Sequence, residues 1–175
     1  MILLKTYSGL FQMIEFKEYS IEHMESLVRL LNNPNVERWL LSVPNPYTQS
    51  DADDFITYAI SAKDNPDRMI FAIEAGGVHV GGIGLHVNQN YHAEVGYWIG
   101  EEYWNRGYGT EALKKILTIA FDELRLGRVQ AVVFEGNDAS ERLLFKCGFE
   151  YEGTMRKARV KNGVPVNCKL FAKVI

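Results

Sequence analysis

Trp104-Asn105-Arg106-Gly107-Tyr108-Gly109-Thr110-Glu111-Ala112 separates two different hydrophobic periods. Before it, Ala93, Val95, Tyr97 and Ile99 alternate as a strand does; after it, Leu113, Ile116, Leu117, Ala120, Phe121 and Leu124 keep the spacing of one helix face, with Gly127 placed as a C-cap. The stretch therefore hands the chain from a strand to the first turn of its longest helix. Unsatisfied N–H groups and the positive end of the helix dipole converge there, which suits an anion such as a diphosphate. Gly107 and Gly109 let the backbone approach phosphate oxygens, and Arg106 adds a cationic donor. The same glycines also fit a plain connecting turn, because short glycine spacings discriminate poorly.

Working outward, Ile14 and Phe16 alternate as an edge strand, and Ser20 caps a helix over 20–32 with the stripe Ile21, Met24, Leu27, Val28 and Leu31. Pro34 opens a short helix through Glu37, Trp39 and Leu40, and Pro44-Asn45-Pro46 marks a loop. Ser50 and Asp53 read as the capping box of a third helix, whose apolar stripe is Ala52, Phe55, Ile56, Ala59 and Ile60. Met69 to Ala75 and Val78 to Val87 are strands joined at Gly76-Gly77. Val78 and Val80 have one parity and Ile83, Leu85 and Val87 the other, so a bulge is expected at Gly81-Gly82. Downstream come a buried strand, Val129 to Phe134, a helix from Asp138 to Cys147 stopped by Gly148, and a strand from Phe149. Asn162-Gly163 then sits between two β-rich runs as a hairpin turn. A meander followed by strand-helix-strand-helix-strand and a hairpin makes an α+β fold with a mixed, mostly antiparallel sheet flanked by helices.

The 175 residues suffice for one domain, assigned to 14–175; residues 1–13 read as an N-terminal extension, with Met13 an alternative start. Apolar residues at 47% and charged residues at 23% exclude disordered and fibrous classes. A net charge of -3 without a basic block argues against nucleic-acid or anionic-membrane partners. No apolar run approaches the ~18 residues of a membrane span. Cys147 and Cys168 are too few for a disulfide framework and read as core fillers, which fits a cytoplasmic location.

Three phosphate-binding patterns compete for the glycine stretch. A P-loop requires Lys and then Ser/Thr after its last glycine, and Thr110-Glu111 stands there instead. A dinucleotide fold accepts Gly107, Gly109 and Ala112, with Glu135 as the ribose acid. Its glycines, however, should follow the strand directly, and Glu135 lies 28 residues past Gly107 where about 20 is usual. The antiparallel meander upstream also replaces the required βαβ repeat.

Taken with Ala93-Glu94-Val95-Gly96-Tyr97-Trp98-Ile99, Asn137-Asp138-Ala139-Ser140, Gly148-Phe149 and Glu152-Gly153 with Arg156 downstream, the stretch resembles the GNAT superfamily of acetyl-CoA-dependent N-acetyltransferases, over about Ile14 to Ile175. Within that superfamily it is similar to the Rim-type ribosomal-protein N-terminal acetyltransferases and their polyamine- and drug-modifying relatives. Trp104 departs from the general pattern, which has Gln or Arg there, and agrees with the Rim-type branch.

The resemblance implies splayed central strands with the pantetheine arm of CoA between them. Backbone groups of Trp98, Ile99 and Gly100 would bond the pantetheine amides, Arg106, Gly107, Tyr108, Gly109 and Thr110 would hold the diphosphate, and Asn137 would steady the thiol end. Glu94 matches the position of a general-base glutamate acting through water. Many members supply the acid from a Tyr in the short helix after the Asn, and here Leu144 stands in its place. Ser140 is the substitute expected to donate to the sulfur, and a backbone N–H near Ile99 would hold the oxyanion. The base matters less for some acceptors than others. At pH 7 an α-amine of pKa about 7.7–8.0 costs roughly 1–1.4 kcal/mol to deprotonate, against about 4.6 kcal/mol for a Lys-like amine.

The implied function is acetyl transfer from acetyl-CoA, as co-substrate, to a primary amine by direct attack in a ternary complex, preferably to a protein N-terminal α-amine. Alternatives are a small amine, such as a polyamine or antibiotic, or a non-catalytic acyl-CoA sensor. The expected state is monomer or homodimer. No catalytic metal is implied, and His79, His86 and His92 read as solvent-facing strand residues. Cys147 is not expected to relay the acetyl group. Phe145, Phe149 and Phe171 read as core, and Asp51, Asp53 and Asp54 as dipole-complementing residues of the third helix, with a secondary possibility of attracting the ammonium. In the resembling family the first helices and the last hairpin border the acceptor channel.

Overall fold

The computed structural model describes residues 14–88 and 91–175, so the expected extension at 1–13 and the turn near Asn90 lie outside the described residues. Four strands, β1 (Ile14–Lys17), β2 (Arg68–Ala75), β3 (Val78–Asn88) and β4 (His92–Ile99), pair antiparallel in chain order. Then β5 (Arg128–Phe134) joins β4 in parallel, and the hairpin of β6 (Glu150–Lys161) and β7 (Val164–Val174) adds through β7. The seven-stranded order is β1-β2-β3-β4-β5-β7-β6.

Strand alternation sorts side chains onto two helix-covered faces. On one face Ala93 and Val95 of β4, Val129 of β5 and Phe171 of β7 pack on Leu113 and Ile116 of α4 (Tyr108–Thr118) and Leu144 of α5 (Asp138–Lys146). Complete burial of a Leu or Ile such as Leu113 or Ile116 stabilises by about 1.5–3 kcal/mol. On the other face Ala72 packs with Leu27 and Leu31 of α1 (Met24–Leu31) and Ala52 and Ile56 of α3 (Gln49–Ser61), with Trp98 set against them. Between those helices lies α2 (Pro34–Glu37), opened by the Asn33 side chain, which accepts from the Asn35 amide.

Several local expectations move. The first helix begins as a 3-10 turn, Ile21–His23, which leaves Ile21 exposed rather than on the buried stripe. The capping box of α3 is Thr48 with Asp51, not Ser50 with Asp53. The Thr48 hydroxyl accepts from the Asp51 amide at 3.2 Å, and the Asp51 carboxylate accepts from the Thr48 amide at 2.7 Å. Ile60 of that helix is exposed. The phase slip in β3 is real and sits one residue early: Ile73 faces Gly81 and Glu74 faces His79, so Val80 is the extra residue.

Gly127 does not cap the long helix. After Thr118 the coil widens into a π-helical segment, Ile119–Glu123, and Arg125 takes the left-handed conformation at φ 56°. Gly127 is small for another reason, since a Cβ there would meet the Tyr91 ring at 2.9 Å. Phe149 and Phe171 are buried, whereas Phe145 is exposed and edges onto Phe171 with ring centroids 5.4 Å apart. At the hairpin, Asn162 and Gly163 both take positive φ, 49° and 78°, as a type I′ turn requires.

Candidate active site

The sheet comes apart in its centre. β4 and β5 pair at three positions only, His92 with Arg128, Ala93 with Val129 and Glu94 with Gln130. β4 continues to Ile99 along β3, so beyond Glu94 its other edge faces a gap. In an antiparallel ladder, hydrogen-bonded and non-bonded pairs alternate. The Gly100 amide donates to the Val80 carbonyl at 2.9 Å, and the constant register makes Trp98 with Gly82 the next bonded pair. Trp98 and Gly100 are thus committed to β3, and the backbone groups of Tyr97 and Ile99 turn toward the gap. The expectation that all three of Trp98, Ile99 and Gly100 address a ligand narrows to Ile99. Its carbonyl already accepts from the Trp104 indole at 2.7 Å, which leaves its N–H facing the gap.

The gap opens onto the glycine stretch. Asn105 and Gly107 adopt positive φ, 62° and 84°, folding the chain back so that α4 starts at Tyr108 with its first-turn amides, Gly109 and Thr110 among them, lacking acceptors inside the helix. A Cβ on Gly107 would have nothing within 4 Å, so that glycine serves the backbone turn and an open approach. Gly109 is different: a Cβ would sit 2.7 Å from the Leu143 Cδ1, so its smallness also lets α4 pack on α5. The Tyr108 side chain is buried. Arg106 is exposed, donates to the Glu102 carbonyl at 3.0 Å and lies over the Tyr103 ring at 5.6 Å.

Glu94 stands at the apex of the gap, half-buried, and accepts from Gln130 Nε2 at 3.1 Å. It shares a strand face with Gly96 and Trp98, toward α1 and α3, and a Cβ on Gly96 would meet nothing within 4 Å. Across the gap, Asn137 caps α5 by accepting from the Ser140 amide at 3.2 Å. The Ser140 hydroxyl lies 2.8 Å from the Tyr97 hydroxyl. Tyr97 is held above the usual phenol range by burial. The structure thus brings Tyr97 to Ser140 and Asn137, and places Glu94 on the opposite strand face. Nothing local in Ala93 to Ile99 announces the bond of Tyr97 to a residue 43 positions later.

Two further polar assemblies escaped the sequence. Lys161, at the end of β6, is buried against Glu37, and its ammonium also donates to the carbonyls of Glu37 at 3.1 Å and Leu40 at 2.6 Å. His79 is buried rather than solvent-facing, edge-on to Tyr19, His23 and Trp98. It stands at the far end of β3 from His86 and His92, so the three histidines do not gather. Among the described residues, no group of three or more His, Cys, Asp or Glu is arranged to hold a metal. Cys147 and Cys168 are free and buried, and burial pushes the Cys147 thiol up. A surface groove of about 620 Å³ is lined by Lys114, Thr118, Asp122, Lys146 and Lys173 at the opposite end of α4 from the glycine stretch. No helix among the described residues is long and apolar enough to cross a membrane.

The chain matches known proteins in both sequence and fold. The model of the acetyltransferase (GNAT) domain family matches residues 14–150, and the chain belongs to that family. It is similar to the putative ribosomal N-acetyltransferase YdaF of Bacillus subtilis (strain 168), 35% identical over 148 residues, 80% of this chain and 79% of that protein. It is also 40% identical over 97 residues to the uncharacterized N-acetyltransferase YoaA of the same organism, a match covering 54% of this chain and about half, 55%, of that protein. Among solved structures, RimL, a ribosomal L7/L12 α-N-protein acetyltransferase in complex with coenzyme A, shares the fold with TM-score 0.82 and 21% identity, covering 93% of this chain and 94% of that one. The Rim-type resemblance therefore holds, and the class of enzyme is an N-acetyltransferase.

Proposed function

We propose that the protein transfers the acetyl group of acetyl-CoA to a primary amine, preferably the α-amine of a protein N-terminus, by direct attack in a ternary complex. The observation that carries this reading is the three-rung pairing of β4 with β5, which leaves the edge of β4 unpaired on that side from Glu94 toward the first turn of α4. The pantetheine arm lies in that gap as a surrogate strand against Ile99. The diphosphate rests on Arg106, Gly107, Tyr108, Gly109 and Thr110, bonding main-chain amides and the guanidinium. The thiol end reaches Asn137 and Ser140.

The amine approaches from the face that carries Glu94 and the open floor at Gly96. Glu94 takes its proton through a water as the C–N bond forms, and a gap-facing N–H near Ile99, that of Tyr97, holds the oxyanion of the tetrahedral intermediate. When the C–S bond breaks, the sulfur keeps the electron pair and takes a proton from the Ser140 hydroxyl. Cys147 takes no part, since its thiol is buried and aims at the Thr110 carbonyl at 3.8 Å. The similarity to YdaF, named a ribosomal N-acetyltransferase, supports a protein acceptor, and the CoA held by RimL supports the co-substrate.

The test is a panel assay with acetyl-CoA and four acceptors: a peptide with a free α-amine, the same peptide blocked there but containing Lys, a polyamine and an aminoglycoside. Transfer to the α-amine at a kcat/KM at least tenfold above the others is expected. Exclusive use of a small amine would overturn the acceptor assignment, and CoA binding without transfer to any of the four would overturn the enzymatic reading.

A further inference from the structure

We infer that Tyr97 is a positioning residue for the proton delivered to the departing thiolate, its phenol donating to the Ser140 oxygen so that the Ser140 hydrogen is turned into the gap. This rests on the reading just given, in which Ser140 faces the sulfur. Three observations carry it. Tyr97 lies on β4 three residues beyond the last β4–β5 rung, at Glu94, so its side chain stands beside the gap, on the face covered by α4 and α5. Its hydroxyl is 2.8 Å from the Ser140 hydroxyl. Ser140 is fixed from the other side, where its amide donates to the Asn137 side chain at 3.2 Å, so the hydroxyl is held at both ends of its residue.

The direction of the Tyr97–Ser140 bond follows from chemistry. A hydroxyl has one hydrogen to give, and if Ser140 gave its own to Tyr97 none would remain for the sulfur. Burial keeps the phenol protonated throughout the working pH range, so Tyr97 always has a hydrogen to donate. As the C–S bond breaks, the sulfur takes the Ser140 hydrogen. The charge left on the Ser140 oxygen is stabilised by the Tyr97 O–H bond until a water at the thiol end of the gap restores the hydroxyl, while Glu94 passes the nitrogen's proton to solvent. Atoms balance: one proton leaves the nitrogen and one arrives on sulfur, and Tyr97 ends as it began. A phenol thus acts at the thiol end of this site from the strand side, although Leu144 occupies the helix position where many relatives place a tyrosine.

The experiment is a double-mutant cycle of Tyr97→Phe and Ser140→Ala on the full chain, with kcat and the KM for acetyl-CoA measured separately and each thermal midpoint recorded. Tyr97→Phe keeps the ring in its packing. It is expected to lower kcat about tenfold, to leave the acetyl-CoA KM within twofold, and to add no further loss in the Ser140→Ala background. Undiminished kcat in Tyr97→Phe, a loss that multiplies with that of Ser140→Ala, or a loss explained by a falling midpoint and rising KM would each overturn the role of Tyr97 while the wild type still turned over. Failure of the wild type to bind CoA in a calorimetric titration would instead overturn the acetyltransferase reading, and this inference with it.

Discussion

Gln130 donates to Glu94 at 3.1 Å across the last rung that joins β4 to β5. The bond fixes one carboxylate oxygen and leaves the other for a water at the apex of the gap. Replacing Glu94 by Gln should lower kcat about tenfold with an α-amine acceptor at pH 7, and about a hundredfold with a Lys-like amine, whose deprotonation is costlier. For the α-amine the deficit should shrink as pH rises past about 8, where the free base is already abundant. Rate profiles between pH 6 and 9 check this, and an equal loss for both amines at every pH contradicts it.

At the glycine turn, Gly107 holds φ at 84°, which an L side chain adopts only with strain. Gly107→Ala should cost about 1 kcal/mol of stability, roughly 2–4 °C in the thermal midpoint, and weaken CoA binding as the first-turn amides shift. Arg106→Ala should weaken CoA about threefold to tenfold with an unchanged midpoint, because Arg106 is exposed and its contacts are largely screened. Calorimetric titration at low and high salt separates the two, the Arg106 deficit shrinking as salt rises.

Lys161 ties the tip of the β6–β7 hairpin to α2 and the segment after it. Its side chain is 10% exposed and that of Glu37 8%. Removing one member strands a buried charge, so Lys161→Ala should cost about 3 kcal/mol, on the order of 10 °C in the midpoint. Lys161→Met paired with Glu37→Met should recover much of that loss. Chemical denaturation of the two variants beside the wild type decides, and a double variant as weak as Lys161→Ala would count against a buried ionic tie.

His79 gives a pH signature. The Ser26 hydroxyl donates to the His23 carbonyl at 2.8 Å, so it accepts from His79 Nδ1 at 2.7 Å, and the buried Nε2 carries no proton and finds no partner. Burial, with His23 nearby, lowers the His79 pKa to about 4 from an ordinary 6.5. Above pH 6.5 the imidazole is neutral folded or unfolded and stability is level in this respect. Between 6.5 and about 4 the unfolded chain binds the extra proton, so stability falls with pH, by about 3 kcal/mol in total. His79→Phe should flatten that slope in denaturation curves taken from pH 7 to 4, and an unchanged slope would assign it to other groups.

The long helix, the meander and the final hairpin were legible because their periods and turn residues act locally: Leu113 to Leu124 can bury a stripe only as a helix, and Asn162-Gly163 supplies two positive-φ positions. The bulge in β3 was visible as a parity change but landed at Val80, since sequence shows that the phase slips and not which residue is squeezed out. The cap of α3 was missed because Thr48 with Asp51 and Ser50 with Asp53 are equivalent patterns until Tyr47 is buried in the α1–α3 core. Glu94, the glycine turn and Asn137-Ser140 were singled out as candidates through ordered motifs. Tyr97 to Ser140, Lys161 to Glu37 and His79 to Ser26 were not, because each pairs residues 43 or more positions apart with no local period to betray it.

Where coenzyme A lies on the protein is read directly by amide hydrogen exchange with and without CoA. Slowed exchange at Ile99, Gly109 and Thr110 is the expected result, with the lysine-lined groove at the other end of α4 unaffected. No protection at those amides on saturation with CoA, or protection confined to that groove, would contradict it.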